Sequence, residues 1–164
     1  AMHLDDFLDD YVQSRGSGPL ALNIKADGLQ SALAEALTDR GIGPDRYFVF
    51  DMAVPDALGY LRLKMPCFTR QSEFEPIPAF IDQSTGIWLD CFRTDWINEG
   101  DILAYCAAGR QVAVVSPELH GRDHQNAWEK WRNADRELRQ RGRDNLLICT
   151  DYPREARAYF DAAN

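Results

Sequence analysis

Two rhythms of apolar residues alternate along this chain. Short, continuously apolar runs occur at Leu20–Lys25 (LALNIK), Tyr47–Asp51 (YFVFD), Gly86–Phe92 (GIWLDCF), Gln111–Ser116 (QVAVVS) and Asn145–Thr150 (NLLICT). Their length and their β-branched and aromatic content predict strands, and Pro66–Ser72 (PCFTRQS) is a weaker example of the same pattern. Between them, apolar positions recur three and four residues apart. This predicts helices over 28–40, 54–64, 98–108, 125–141 and 154–162, with a short one at Ile77–Asp82. Pro55 suits the first turn of the second of these. An amphipathic helix over 3–14 precedes the first strand, with Leu4, Phe7, Leu8, Tyr11 and Val12 on one face and Asp5, Asp6, Asp9 and Asp10 on its solvated side. Residues 15–19 (RGSGP) read as a loop. Continuously apolar strands alternating with helices imply α/β architecture, a parallel sheet covered by helices. No linker or low-complexity stretch interrupts the chain, so residues 1–164 read as a single domain.

The first strand carries polar residues that matter to the reading. Side chains alternate along a strand, so Asn23 and Lys25 share one face and Leu22 and Ile24 the other. Placed on an inward face, an asparagine and a lysine are costly to bury, and function is a reason to tolerate that cost. The other strands also finish on polar or ionisable residues: Asp51, Arg70 with Ser72, Asp90, Ser116 with Glu118 and His120, and Thr150 with Asp151. Parallel α/β folds bind ligands at the C-terminal ends of their strands. Asp51 and Asp151 also suit capping of the helices that follow. Together these residues make a polar crater suited to an anionic substrate, with or without a divalent cation such as Mg or Ca. In the loop Ser116–Arg122, His120 can act as acid or base and Arg122 can hold a phosphate in bidentate fashion. Trp88 lies on the strand face of Asp90 and is a candidate pocket wall. Trp128, Trp131 and Ala134 fall at helical spacing and read as helix packing, while His3 and His124 read as solvated.

Composition narrows the partners. A net charge of −8 and a pI near 4.8 argue against a nucleic-acid backbone or an anionic membrane surface. The four cysteines, Cys67, Cys91, Cys106 and Cys149, form no CxxC pair and read as reduced, mostly buried thiols of a cytoplasmic protein. No apolar run approaches the ~20 residues of a membrane span, and no signal peptide is visible. Ala1-Met2 reads as a remnant of expression.

Several of these residues form motifs. Leu22-Asn-Ile-Lys25 followed by Asp27-Gly28 resembles the third barrel strand of glycerophosphodiester phosphodiesterases, in the phospholipase-C-like phosphodiesterase superfamily. Thr150-Asp-Tyr-Pro153 resembles that family's closing Thr-Asp-x-Pro on the eighth strand, Val114-Val-Ser116 falls where the seventh would end, and Leu4–Tyr11 resembles the helix before the third. The resemblance implies a (β/α)8 TIM-barrel-like fold with its first strands missing, about six βα units making up roughly the C-terminal three quarters of a barrel. It implies a lipid-metabolism phosphodiesterase, a phosphoric diester hydrolase, with Lys25 near the phosphate. One departure is Asn23, which stands where the family has a metal-ligating Glu, and nothing before residue 20 supplies the family's catalytic His pair. The chain is therefore expected to be an N-terminally truncated or divergent relative, catalytically impaired as it stands.

Two functional readings follow. In the first, the protein acts on or binds a small phosphodiester. Lys25 and His120 are the catalytic candidates, Asn23, Arg70, Ser116, Glu118, Arg122 and Trp88 face the substrate, and Asp51, Asp90 and Asp151 hold a cation. In the second, it is a non-catalytic binding or assembly protein for a phosphorylated or sugar-like ligand. Phe50-Asp-Met-Ala-Val54 superficially resembles a haloacid-dehalogenase nucleophile strand, but lacks the second Asp two residues on. Open sheet edges in a partial barrel predict association into a homo-oligomer, most simply a dimer.

Overall fold

A computed structural model describes residues 2–14 and 18–162, so Arg15–Ser17 of the expected loop lie outside the described residues. The described residues form six strands: β1 (Leu20–Asn23), β2 (Tyr47–Phe50), β3 (Cys67–Gln71), β4 (Gly86–Leu89), β5 (Gln111–Val115) and β6 (Leu146–Cys149). The helices are α1 (Leu4–Gln13), α2 (Gln30–Asp39), α3 (Val54–Arg62), α4 (Glu99–Ala107), α5 (Gln125–Gln140) and α6 (Pro153–Asp161), with a 3-10 turn at Pro117–His120. Strand order follows chain order, β1-β2-β3-β4-β5-β6. The pairs β1–β2, β2–β3, β4–β5 and β5–β6 are parallel, with Leu20 opposite Tyr47, Val49 opposite Cys67, Gly86 opposite Gln111 and Val112 opposite Leu146. Parallel neighbours need a crossover, and here a helix supplies it after each of β1, β2, β4 and β5. No helix among the described residues is long and apolar enough to cross a membrane.

The chain packs as two compact units. The first comprises the chain up to Phe68 together with Asp82–Ser84. Its core joins Leu8 of α1, Leu33 and Leu37 of α2, Val49 of β2, Tyr60 of α3, and Met65 with Cys67. Leu8 is fully buried, so α1 is anchored through one face, while its aspartates Asp5 and Asp9 pair with Arg40 at the surface. Burying such a side chain contributes about 1.5–3 kcal/mol.

The second unit comprises Thr69–Ile81 and the chain from Thr85 onward. Ile87, Leu89, Val112 and Val114 of its strands meet Ile102 and Cys106 of α4, Trp128, Trp131, Ala134 and Leu138 of α5, and Phe160 of α6. The spacing 127, 128, 131, 134, 138 puts one face of α5 into this core, as its helical periodicity predicted. The start of α4 is fixed by a reciprocal capping box between Asn98 and Asp101. All four cysteines are free thiols, three of them buried. Burial pushes the thiols of Cys67, Cys91 and Cys106 up, to about 12, 11 and 11, which makes them inert as nucleophiles.

Two expectations are corrected. Ile77–Asp82 is a run of bends and turns and not a helix. Phe80, in the middle of the segment, has φ +54, far from helical values, and Ile77 is 87% exposed, so of the two isoleucines only Ile81 packs against the core. On the first strand the alternation holds, but Asn23 and Lys25 lie on the exposed side while Leu20 and Ile24 are buried. The anticipated cost of burying them is therefore not incurred.

Candidate functional site at the strand ends

In the second unit the polar side chains beyond β4, β5 and β6 form two connected groups. Asp90 directly follows β4. Its main-chain N–H donates to Gln71 O at 2.9 Å and its carbonyl accepts from Trp96 Nε1 at 2.9 Å, so its backbone is held on both sides. The residue is only 7% exposed, and its Oδ1 lies 2.7 Å from Nε2 of His120, at the end of the 3-10 turn after β5. A carboxylate oxygen accepts, so Nε2–H is the donor of this bond and Nδ1 is the second nitrogen of the ring. Phe92 packs on the imidazole with ring centroids 4.8 Å apart. Gly121, at φ +70, closes the turn in the left-handed conformation that glycine adopts freely and fixes where His120 ends up. A carboxylate that orients a histidine is an arrangement suited to proton transfer.

The second group centres on Glu118. One of its oxygens accepts from Ser116 Oγ; the other accepts from Thr150 Oγ1 and from the Asp151 main-chain N–H at 3.2 Å. Ser116 is fully buried and its hydroxyl also accepts from Trp128 Nε1 at 2.7 Å. Burial alone would raise the Glu118 carboxyl, but these hydrogen bonds outweigh it and hold it below the ordinary carboxylate value. Glu118 thereby ties the end of β5 to the end of β6. Trp88 is buried on β4. Arg70, at the end of β3, pairs with Glu75. Arg122 pairs with Asp95 and donates to the Cys91 carbonyl, so its guanidinium braces the loop after β4.

In the first unit, Lys25 and Asp51 follow β1 and β2 and form an ion pair. Lys25 is mostly exposed and Asp51 is partly covered. Asp51 has φ +67, a conformation unusual for a residue with a side chain. Its carboxylate pairs with Lys25. Asn23 stands exposed at the end of β1.

Asp51 in the first unit, and Asp90 and Asp151 in the second, are the expected cation ligands. Asp51 is engaged with Lys25 and Asp90 with His120, and among the described residues no group of three or more His, Cys, Asp or Glu is placed to hold a metal.

Sequence reading missed two residues here. Glu73, in the turn after β3, accepts main-chain hydrogen bonds from Phe92, Arg93 and Thr94. Phe92 supplies the ring against His120. Neither carries a sequence signal, because one binds backbone amides and the other reads as strand core.

The fold is thus α/β, built of parallel βα units with polar strand ends. No protein-family model matches the chain, and no curated protein matches it by sequence. Solved structures do match. A protein of Galdieria sulphuraria described as a glycerophosphodiester phosphodiesterase superposes with a TM-score of 0.66 at 13% identity, over 96% of this chain and 63% of its own. One of Silicibacter pomeroyi described as a glycerophosphoryl diester phosphodiesterase gives 0.60 at 12%, over 98% and 56%. The glycerophosphodiester phosphodiesterase of Agrobacterium tumefaciens gives 0.54 at 16%, over 90% and 58%. This chain therefore spans 56–63% of the length of those structures. At such identities the likeness is one of fold, that of part of a TIM barrel, and it falls on the same family that the strand motifs resemble.

Proposed function

We propose that this protein binds a small phosphodiester at the strand ends of its second unit, with His120 as the proton-transfer group and Asp90 orienting it. The observation that carries this reading is the Asp90–His120 pair, 2.7 Å apart and backed by Phe92, beside the Glu118 bracket that joins β5 to β6. The fold likeness to glycerophosphodiester phosphodiesterases supports the choice of ligand class. His120 meets a phosphate oxygen through Nδ1, as donor when protonated and as acceptor of a hydroxyl proton when neutral. Separately, Lys25 at the strand end of the first unit is proposed as an anion contact of that unit, where an anion competes with Asp51 for its ammonium.

Turnover is proposed to be impaired. Asn23 places a neutral amide where the resemblance implies a ligating carboxylate. That same substitution favours the second reading, a non-catalytic protein that binds a phosphorylated or sugar-like ligand. We further propose that the protein self-associates, because β1 and β6 end the strand order and sheet ends invite pairing.

Isothermal titration with glycerol 3-phosphate and with a glycerophosphodiester, on the wild type and His120→Ala, tests the ligand. The reading expects binding that His120→Ala weakens; no binding by either protein, or equal affinities, would refute it. A generic chromogenic phosphodiester, assayed with and without Mg or Ca, separates the two readings: slow turnover lost in His120→Ala supports an enzyme, and none supports a binding protein. Light scattering reports the oligomeric state.

A further inference from the structure

The turn after β3 puts a carboxylate where an anion seat would be. Three consecutive main-chain N–H groups beyond β4 converge on the Glu73 carboxylate: Phe92 at 3.0 Å, Arg93 at 2.9 Å and Thr94 at 2.9 Å, with Thr94 Oγ1 at 3.3 Å. Successive amides aimed at one point make a concave anion receptor, the geometry by which backbone loops hold phosphates. Burial alone would raise the Glu73 carboxyl, but these bonds overcome that and hold it down at about 2. The cradle therefore stabilises negative charge strongly.

Its position links it to the strand-end site. Phe92, whose N–H is the first donor, packs against His120, and Asp90 lies two residues before it. Arg93, the second donor, holds its guanidinium 4.9 Å over the exposed ring of Phe74. The turn that carries Glu73 closes on itself. Ser72 and Glu75 exchange main-chain hydrogen bonds of 3.1 and 3.2 Å, and Ser72 Oγ accepts from the N–H of Phe74 and of Glu75. Rotation of the Glu73 side chain alone thus empties the cradle and leaves the turn intact, a rearrangement of the kind that partly exposed side chains make readily.

We propose that the Phe92–Thr94 cradle is a seat for the phosphate group of a ligand, and that Glu73 is an internal competitor that fills it in the free protein. The inference rests on the strand-end reading for the ligand's class, while the cradle itself stands on its own geometry. A ligand phosphate displaces a carboxylate from the same four donors and can recruit the Arg93 guanidinium from the Phe74 ring. The structure accordingly describes a self-occupied, lower-affinity state, in which apparent affinity is reduced by the fraction of cradles that are empty.

The test is titration with inorganic phosphate, and separately acetate, followed by calorimetry and by amide NMR shifts, on wild type, Glu73→Ala and Glu73→Gln. Glu73→Ala should bind phosphate about tenfold or more tighter than wild type. The Phe92, Arg93 and Thr94 amides should move, acetate should bind more weakly, and Glu73→Gln, which keeps an uncharged competitor, should fall between. Tryptophan fluorescence checks folding, and Glu73→Gln decides if Glu73→Ala does not fold. Equal phosphate affinity across the three proteins, or shifts away from 92–94, would overturn the proposal; acetate binding as tightly as phosphate would overturn the phosphate assignment. Phosphate that moves Asp90 and His120 but not the cradle sinks this inference and spares the strand-end function. Cradle binding in Glu73→Ala, with no response of wild type to glycerol 3-phosphate, does the reverse.

Discussion

Replacing Glu73 by Gln removes one charge and leaves the size of the side chain unchanged, so it isolates the electrostatic part of the clamp on the loop after β4. The carboxyl is held at about 2 against an ordinary 4.5. Taken at face value that difference corresponds to about 3 kcal/mol, at ~1.4 kcal/mol per unit. The side chain is only partly covered, so solvent screening brings the expected contribution to about 1–2 kcal/mol. For a chain of this length such a loss lowers Tm by about 2–8 °C. The sign follows from linkage. The folded value lies below the unfolded one, so the stabilisation is complete above about 4.5 and is lost as pH falls from there towards about 2. Urea unfolding followed by tryptophan fluorescence is well suited, because Trp88, Trp96, Trp128 and Trp131 all belong to the second unit. Wild type should exceed Glu73→Gln in stability at pH 7, by less than half as much at pH 3, and by almost nothing at pH 2. An equal gap at pH 7 and pH 3, or none at pH 7, would refute the clamp.

Leu8→Ala should cost about 2–5 kcal/mol, because Leu8 is fully buried and joins α1 to the core of the first unit; tyrosine fluorescence or circular dichroism in urea measures it. Lys25→Ala should change stability by less than about 1 kcal/mol, since its pair with Asp51 is exposed on the lysine side. The same change should weaken binding of inorganic phosphate at the strand ends of the first unit by on the order of 1.5–3 kcal/mol, the worth of a charge-assisted contact, and equal calorimetric affinities would remove Lys25 from that role. Glu118→Ala leaves the hydroxyls of Ser116 and Thr150 without their shared acceptor and should lower stability by about 1–3 kcal/mol. Tryptophan fluorescence should also report this change, because Trp128 donates to Ser116.

The architecture was legible because most of the strands are apolar along their whole length, a pattern characteristic of a parallel sheet covered on both faces. Each of the six strands falls within its expected range; the structure trims the polar ends, as at Asp51, Asp90 and Ser116, and leaves those residues just past the strands. The helix expected at Ile77–Asp82 does not form: Phe80, in the middle of it, sits at φ +54, which an α-helix does not accommodate. Strand ends were legible as positions, and Asp90, Glu118 and His120 stand there. Their pairing was not, since nothing in sequence says that Asp90 would meet His120 thirty residues on. Glu73 was invisible for a different reason: its partners are backbone amides, which every residue but proline carries.

Amide NMR mapping of the wild-type protein with glycerol 3-phosphate tests the central claim most directly. The account predicts saturable shifts at Asp90, at Ser116–His120 and at Thr150–Asp151, all reduced in His120→Ala. Shifts confined to other parts of the second unit, such as the α5–α6 face around His124 and Tyr159, or no shift at millimolar ligand, would contradict it.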